Sequence, residues 1–233
     1  MKTRALVTGG NKGIGFEVTK DFLERGFEVV VVARDFSSFD LKDENLTIIE
    51  YDLANVTDLP KLMKQVGDID ILINNAGFMQ PKYSFDNYPL EAKERIMNVD
   101  LHTPVELMTL CSNSMKEKGY GRIVNVASIA GQIGHPDIWY GIAKAGLINA
   151  TKIYAKLLGG NGIVVNCIAP SPVETDMQKD NSEERKAEFK KTVVSGRFAM
   201  ASEIATTIVW LATDCPEYIN GTTTDINNCS YPR

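Results

Sequence analysis

Short apolar runs alternate with segments of helical period along the whole chain, and this alternation restricts the fold more than any other feature. Strand-like runs fall near 4–8, 28–33, 46–51, 69–73, 121–127, 162–168 and 222–227. Helical segments fall between them, near 14–25, 57–66, 91–98, 101–118, 140–158, 183–195 and 202–213. Strands alternating with helices are the pattern of βαβ units and a mostly parallel sheet. Right-handed crossovers are nearly obligatory in such units, so an α/β, doubly wound, seven-stranded sheet is expected, with its ligand crevice beyond the carboxyl ends of the strands. One domain spanning 1–233 is ordinary at this length and can bury a large core. No repeat, low-complexity tract or linker divides it.

A crevice in this chain must supply its own local charge. The formal net charge is −5 and the pI is near 5.2, so no uniform positive field exists to hold nucleic acid or an anionic membrane. Apolar and charged fractions of 44% and 24% are those of an ordinary globular protein. The opening Met1-Lys2-Thr3-Arg4-Ala5-Leu6-Val7 lacks the features of a secretory leader, and no run has the length of a membrane span. Cys111, Cys167, Cys215 and Cys229 show neither zinc-ligand nor disulfide-framework spacing. A cytoplasmic protein is expected. His102 and His135 have no ligand-spaced partners, so no metal is expected either.

The first strand-like run ends in Thr8-Gly9-Gly10-Asn11-Lys12-Gly13-Ile14-Gly15, directly before a helical segment. Glycines at a strand-to-helix turn let backbone amides and a helix N-terminus approach a pyrophosphate closely. The spacing is not the usual G-x-G-x-x-G, so a mere packing turn is the competing reading. The second strand, Val29-Val30-Val31-Val32-Ala33-Arg34, then bears on the choice. Dinucleotide sites that prefer NAD carry an acid about 20 residues past the turn for the ribose 2′-hydroxyl, whereas arginine suits a 2′-phosphate. Here Ala33 stands near that place and Arg34 follows it, with Lys12 as a second cation. The cofactor inferred is NADP(H).

Ile123-Val124-Asn125-Val126-Ala127-Ser128 reads as a buried strand ending on a hydroxyl, and Tyr140-Gly141-Ile142-Ala143-Lys144 opens a helix. Residues four apart share a helix face, so Tyr140 and Lys144 can meet one ligand. A neighbouring ammonium favours the tyrosine phenolate, and a serine hydroxyl can hydrogen-bond a substrate oxygen as charge develops on it. Alone, a Tyr and Lys at this spacing are more often a surface pair.

Taken together, Thr8-Gly9 with Gly13-Ile14-Gly15, Asn74-Asn75-Ala76-Gly77, Ser128, Tyr140 with Lys144, and Asn166 with Pro170 resemble the ordered motifs of the short-chain dehydrogenase/reductase family. Ser128 and Tyr140 stand 12 residues apart, as that pattern requires. The resemblance implies a Rossmann-type three-layer sandwich and hydride exchange between nicotinamide and a carbonyl or alcohol, with Tyr140 as acid/base. It also implies roles for Asp52-Leu53 beside adenine and for Asn74, Ala76 and Gly77 around the adenosine ribose. Lys144 would hold the nicotinamide ribose, and Pro170, Val173 and Thr175 the carboxamide. Thr8, Asn11, Lys12, Gly13, Ile14 and Gly15 complete the cofactor set. A homotetramer or homodimer built on the segments near 101–118 and 140–158 is the oligomer the family suggests.

Three departures stand out. Asp100 falls where the family places a catalytic asparagine, with Asn98 the other residue that could fill that role. Ser171 replaces a glycine after Pro170, and Pro172 stiffens the same turn. Asn228-Cys229 replaces a Gly-Gly in the tail. The segment Pro170–Met177 with Gly196-Arg197-Phe198 is similar to bacterial 3-oxoacyl-acyl-carrier-protein reductases. Lys116, Lys118 and Arg122 are the candidates for a carrier-protein contact, and a reductase of small ketones, sugars or quinones is the alternative. A non-catalytic NADP(H)-sensing module is the rival of another class. Substrate contacts are sought among Gln132, His135, Ile138, Trp139, Phe78, Met79 and Gln80. The polar segment 171–191 is read either as a solvated surface helix or as a lid.

Overall fold

The computed structural model describes residues 2–80, 83–178 and 181–232. Lys179 and Asp180 of the polar segment lie outside the described residues. Seven strands form one parallel sheet in the order β3-β2-β1-β4-β5-β6-β7. They are β1 (Arg4–Thr8), β2 (Glu28–Ala33), β3 (Leu46–Glu50), β4 (Ile71–Asn74), β5 (Gly121–Val126), β6 (Ile163–Pro170) and β7 (Thr223–Ile226). The order reverses between β1 and β4, which opens a crevice at their carboxyl ends.

The helices are α1 (Gly13–Glu24), α2 (Leu59–Val66), α3 (Leu90–Met97), α4 (Thr103–Lys118), α5 (Ile138–Leu158), α6 (Glu183–Thr192) and α7 (Ala201–Ala212). On one face of the sheet, Val18 and Phe22 of α1 and Ile204, Ile208 and Val209 of α7 pack on Ala5, Val7, Val29 and Val31. On the other face, α2, α4 and α5 bury Leu62, Met108, Met115 and Ala155 against Leu6, Val30, Leu72 and Val165. Alternate residues of β1 and β2 thus enter opposite layers, so the central strands are apolar on both sides. Each fully buried aliphatic side chain contributes about 1.5–3 kcal/mol.

The expected elements recur with shifted ends. The two helical segments near 91–98 and 101–118 are joined by a π-helical stretch at Asn98–His102, so the chain runs through them without a loop. The widened turn carries Asp100 inward, where it is fully buried. α5 begins at Ile138, two residues before Tyr140, because the Asp137 carboxylate caps the helix through the Tyr140 N–H at 3.2 Å.

Two buried amide side chains hold the layers together. Asn74 Nδ2 donates to Asn125 Oδ1 at 2.8 Å, and Asn125 Nδ2 donates to Thr151 Oγ1 at 2.9 Å, which links β4, β5 and α5. Asn166 of β6 binds the Ile219 carbonyl and the Thr222 N–H, fastening the tail to the sheet.

The tail keeps a glycine-type backbone without glycine. Asn228 and Cys229 have φ of +46° and +60°, a left-handed conformation that costs an ordinary residue about 1–2 kcal/mol. The Asn228 side chain offsets part of this by accepting the Ser195 N–H at 2.8 Å. Cys229 is exposed. Cys229→Gly is therefore expected to stabilise the fold by about 1 kcal/mol and to raise the thermal midpoint by about 2–4 °C. An unchanged or lower midpoint in a thermal melt would contradict the strain argument.

Candidate active site

The crevice is a cleft of about 890 Å³, large enough for a dinucleotide and a small substrate. At one end lies the glycine turn. Gly9 and Gly13 have φ of +65° and +56°, and a Cβ on Gly15 would come within 2.3 Å of the Gly9 carbonyl oxygen. Only glycine permits that approach of helix to turn. α1 starts without a side-chain cap, so its first-turn amides and the positive end of its dipole are available to an anion. Asn11, Lys12, Gly13 and Ile14 line the cleft here, as do Arg34, Asp52, Leu53, Ala76 and Gly77 further along, and Pro170 at the end of β6 with Val173 and Thr175 after it.

Thr8, Gly15 and Asn74 do not line the cleft, and the structure gives them a supporting place instead. The Thr8 hydroxyl accepts the Asn75 and Ala76 N–H groups at 3.0 and 3.1 Å, and the Asn75 side chain returns bonds to the Thr8 and Gly9 carbonyls. The turn and the Asn74–Gly77 segment are thereby locked to each other. Lys12 lies 3.3 Å from Asp176 on the opposite lip, an exposed pair of little energetic weight. Asp52 is bound through both oxygens by Arg95 at 3.0 Å. Although burial works against it, the Ala54 N–H and Arg95 hold that carboxyl below its usual range.

At the other end Ser128, two residues past β5, meets Tyr140 and Lys144 of α5. Ser128 Oγ accepts the Ala130 N–H at 3.1 Å, which leaves its own proton to donate. Lys144 Nζ donates to the Val126 carbonyl at 2.9 Å and stands 5.6 Å from the Tyr140 ring centroid. Asp100 does not face the cleft. Its Oδ1 is 3.0 Å from Lys144 Nζ, an ion pair off the ideal hydrogen-bonding direction, and its Oδ2 accepts the Phe78 N–H at 2.9 Å. Asn98 instead binds the Ala54 carbonyl and the His102 ring, so Asp100 is the residue placed to act on Lys144.

Burial sets the protonation of this group. It raises the Asp100 carboxyl, and the attraction of Lys144 and the Phe78 N–H does not cancel it. Burial alone would lower Lys144, but Asp100 and then Tyr140 hold it above its ordinary value. Tyr140 is pushed up by burial, while Lys144 and the Ser128 hydroxyl pull down and Asp100 pushes up again. Lys144 thus pulls toward the phenolate, as its spacing from Tyr140 predicts, but burial outweighs that pull and the net shift favours the protonated tyrosine.

The expected substrate contacts divide. His135, Phe78 and Met79 line the cleft, together with Ile133 and Pro136, which the sequence did not single out. Gln132 is drawn away to Asp225 at 2.7 Å, Trp139 packs under Lys93, and neither they nor Ile138 and Gln80 line the cleft. Lys118 and Arg122 sit at the amino-terminal end of β5, opposite the crevice, paired with Asp70 and Glu217. They are not a landing patch for a carrier at the cleft. Arg185 and Phe189 of α6 do line it, so this exposed helix covers part of the site. Among the described residues no cluster of His, Cys, Asp or Glu is arranged for a metal, and no helix is long and apolar enough to cross a membrane.

The sequence also missed Asp137. Its signal was present, an acid immediately before a helical segment and three residues from Tyr140.

A doubly wound sheet with a dinucleotide-sized crevice at its switch point, and Ser128, Tyr140 and Lys144 gathered at one end of it, is the arrangement of the oxidoreductase class. Within it, the chain belongs to the short-chain dehydrogenase/reductase family. A family model described as enoyl-(acyl carrier protein) reductase matches residues 9–228. The chain is 34% identical over 244 residues to a 3-oxoacyl-[acyl-carrier-protein] reductase of Haemophilus influenzae, covering 97% of both chains. Its fold superposes on 4-hydroxyisoleucine dehydrogenase complexed with NADH at a TM-score of 0.93, with 25% identity over 99% of each chain. ElxO with NADP bound gives 0.85 and 26% over 98% of each.

Proposed function

We propose that the protein reduces a carbonyl to an alcohol with NADPH, the carbonyl being that of a 3-oxoacyl thioester on an acyl carrier protein or a small ketone, sugar or quinone. The observation that carries this reading is the convergence of the Ser128, Tyr140 and Lys144 side chains beside the nicotinamide-side segment Pro170–Thr175. The 34% identity to a 3-oxoacyl-[acyl-carrier-protein] reductase favours the thioester.

The residues present fit the dinucleotide: the glycine turn offers a cradle that a Cβ on Gly15 would close, and Arg34 stands at the end of β2. When bound, NADPH supplies the hydride. Ser128 donates a hydrogen bond to the substrate oxygen and fixes its direction. Tyr140 gives that oxygen a proton, and burial favours its acid form. Lys144, held protonated by Asp100, offsets the phenolate left behind. Since the acid form is required, reduction should fall as pH rises through the Tyr140 pKa, while alcohol oxidation should rise. Two hydroxyls directed at one oxygen suit a carbonyl better than a C=C bond.

Exposed Ile142, Ile153 and Leu157 along α5 support association of subunits through α4 and α5.

The test is loss of nicotinamide absorbance with acetoacetyl and crotonyl thioesters, then ketones and aldehydes. No oxidation above a Tyr140→Phe control, despite NADPH binding, would overturn the carbonyl reading and favour a sensing module. For the coenzyme, Arg34→Ala is expected to raise KM for NADPH about 10–100-fold, the loss of one or two charge-assisted bonds, and to leave KM for NADH within about threefold. Equal effects on both coenzymes would refute the assignment of Arg34 to the 2′-phosphate.

A further inference from the structure

The two walls of the site are tied by a carboxylate that does not itself line the cleft. Asp137 is fully buried and its side chain takes three donors from separate parts of the chain. Oδ1 accepts the Tyr140 N–H at 3.2 Å and the Tyr88 hydroxyl at 3.0 Å, and Oδ2 accepts the Gln80 N–H at 2.8 Å. Its own N–H donates to His135 Nδ1 at 3.1 Å. Nδ1 also lies 3.2 Å from the Asp137 carbonyl, but that oxygen is satisfied by the Gly141 N–H whereas the Asp137 N–H needs Nδ1 as acceptor, so the arrangement that satisfies every group has the His135 proton on Nε2. His135 lines the cleft with its ring 5.5 Å from that of Tyr140. Asp100 completes the pattern by taking the Phe78 N–H. Alternate amides of the Phe78-Met79-Gln80 wall are thus held by two buried carboxylates, one bonded to the first turn of the tyrosine's helix and one paired with Lys144.

We infer that Asp137 is a positioning residue for the carbonyl substrate: it fixes the Phe78–Met79 wall and the His135 ring relative to Tyr140. The role rests on the carbonyl-reductase reading above. The chemistry demands a carboxylate, because three donors converge on two oxygens. In Asp137→Asn one of the two positions becomes an NH2 group, a donor, and at least one of Gln80 or the Tyr88 and Tyr140 pair must lose its acceptor. The glycine turn and Arg34 share none of these bonds, so the cofactor half should be indifferent.

Two measurements on the full-length protein test this. Hydrogen exchange resolved to single amides should show Gln80 or Tyr140, whichever faces the new NH2 group, exchanging at least about tenfold faster in Asp137→Asn, with amides in the middle of α5 unchanged, the cost of one lost buried acceptor. Tyr88→Phe removes one donor and leaves the carboxylate, so it should speed that exchange less. In steady-state kinetics Asp137→Asn should raise KM for the carbonyl about tenfold while KM for NADPH stays within about twofold, and Asp137→Glu should recover part of the loss. A wild-type protein that reduces no carbonyl would overturn the reductase reading, yet leave the clamp to be judged by exchange. Unchanged exchange at both Gln80 and Tyr140 would refute the clamp itself. Faster exchange with an unaltered carbonyl KM in an active enzyme would show that the clamp is structural only, and the positioning role would fall.

Discussion

Tyr140→Phe is expected to lower kcat for carbonyl reduction by about a thousandfold while leaving KM for NADPH within about twofold. The substitution removes one oxygen and little else. Tyr140 is 7% exposed and its ring lies against Ala130, Ala143 and Ile96, contacts that phenylalanine keeps. The helix start is also preserved, because Asp137 caps the backbone N–H of residue 140 and not its hydroxyl. Folding and cofactor binding should therefore survive, and the lost rate reports the proton alone. Single-turnover assays would check this. A variant retaining more than about a tenth of wild-type kcat would mean that Ser128 or solvent delivers the proton.

The second large effect belongs to Lys144→Met, and it has two parts. Turnover should fall by at least about a hundredfold, since the ammonium that offsets the phenolate is gone. Stability should fall as well, by about 3 kcal/mol, because Asp100 is left in a fully buried site without its partner. A decrease of roughly 6–12 °C in the thermal midpoint would follow. Adding Asp100→Asn should restore most of the stability and none of the turnover. If the double variant melts as low as the single one, the ion pair is not the cause. If the single variant keeps wild-type turnover, Lys144 has no part in the chemistry.

Much of the site was legible because its chemistry is local in sequence. Gly9, Gly13 and Gly15 lie in one turn, and Tyr140 and Lys144 are one helical turn apart, so spacing alone puts each set on a common surface. Their convergence with Ser128 follows from where a parallel strand must end. The contacts that set protonation were not legible in this way. Asp100 meets Lys144 from a π-helical stretch at Asn98–His102, and hydrophobic periodicity does not report such a stretch. The sign of the Tyr140 shift likewise depends on burial, which a charge count cannot supply.

The sequence by itself determined the seven strands, their parallel arrangement and the residues at the two ends of the crevice, since periodicity and crossover handedness act along the chain. Tertiary structure alone decided which side chains share a proton or a wall. Gln132 left the expected pocket for Asp225, Lys118 and Arg122 fell at the far end of the sheet, and Asp137 drew Gln80, Tyr88 and Tyr140 onto one carboxylate. Those outcomes follow from where donors and acceptors from distant segments can be satisfied once water is excluded, a condition met only in the packed molecule.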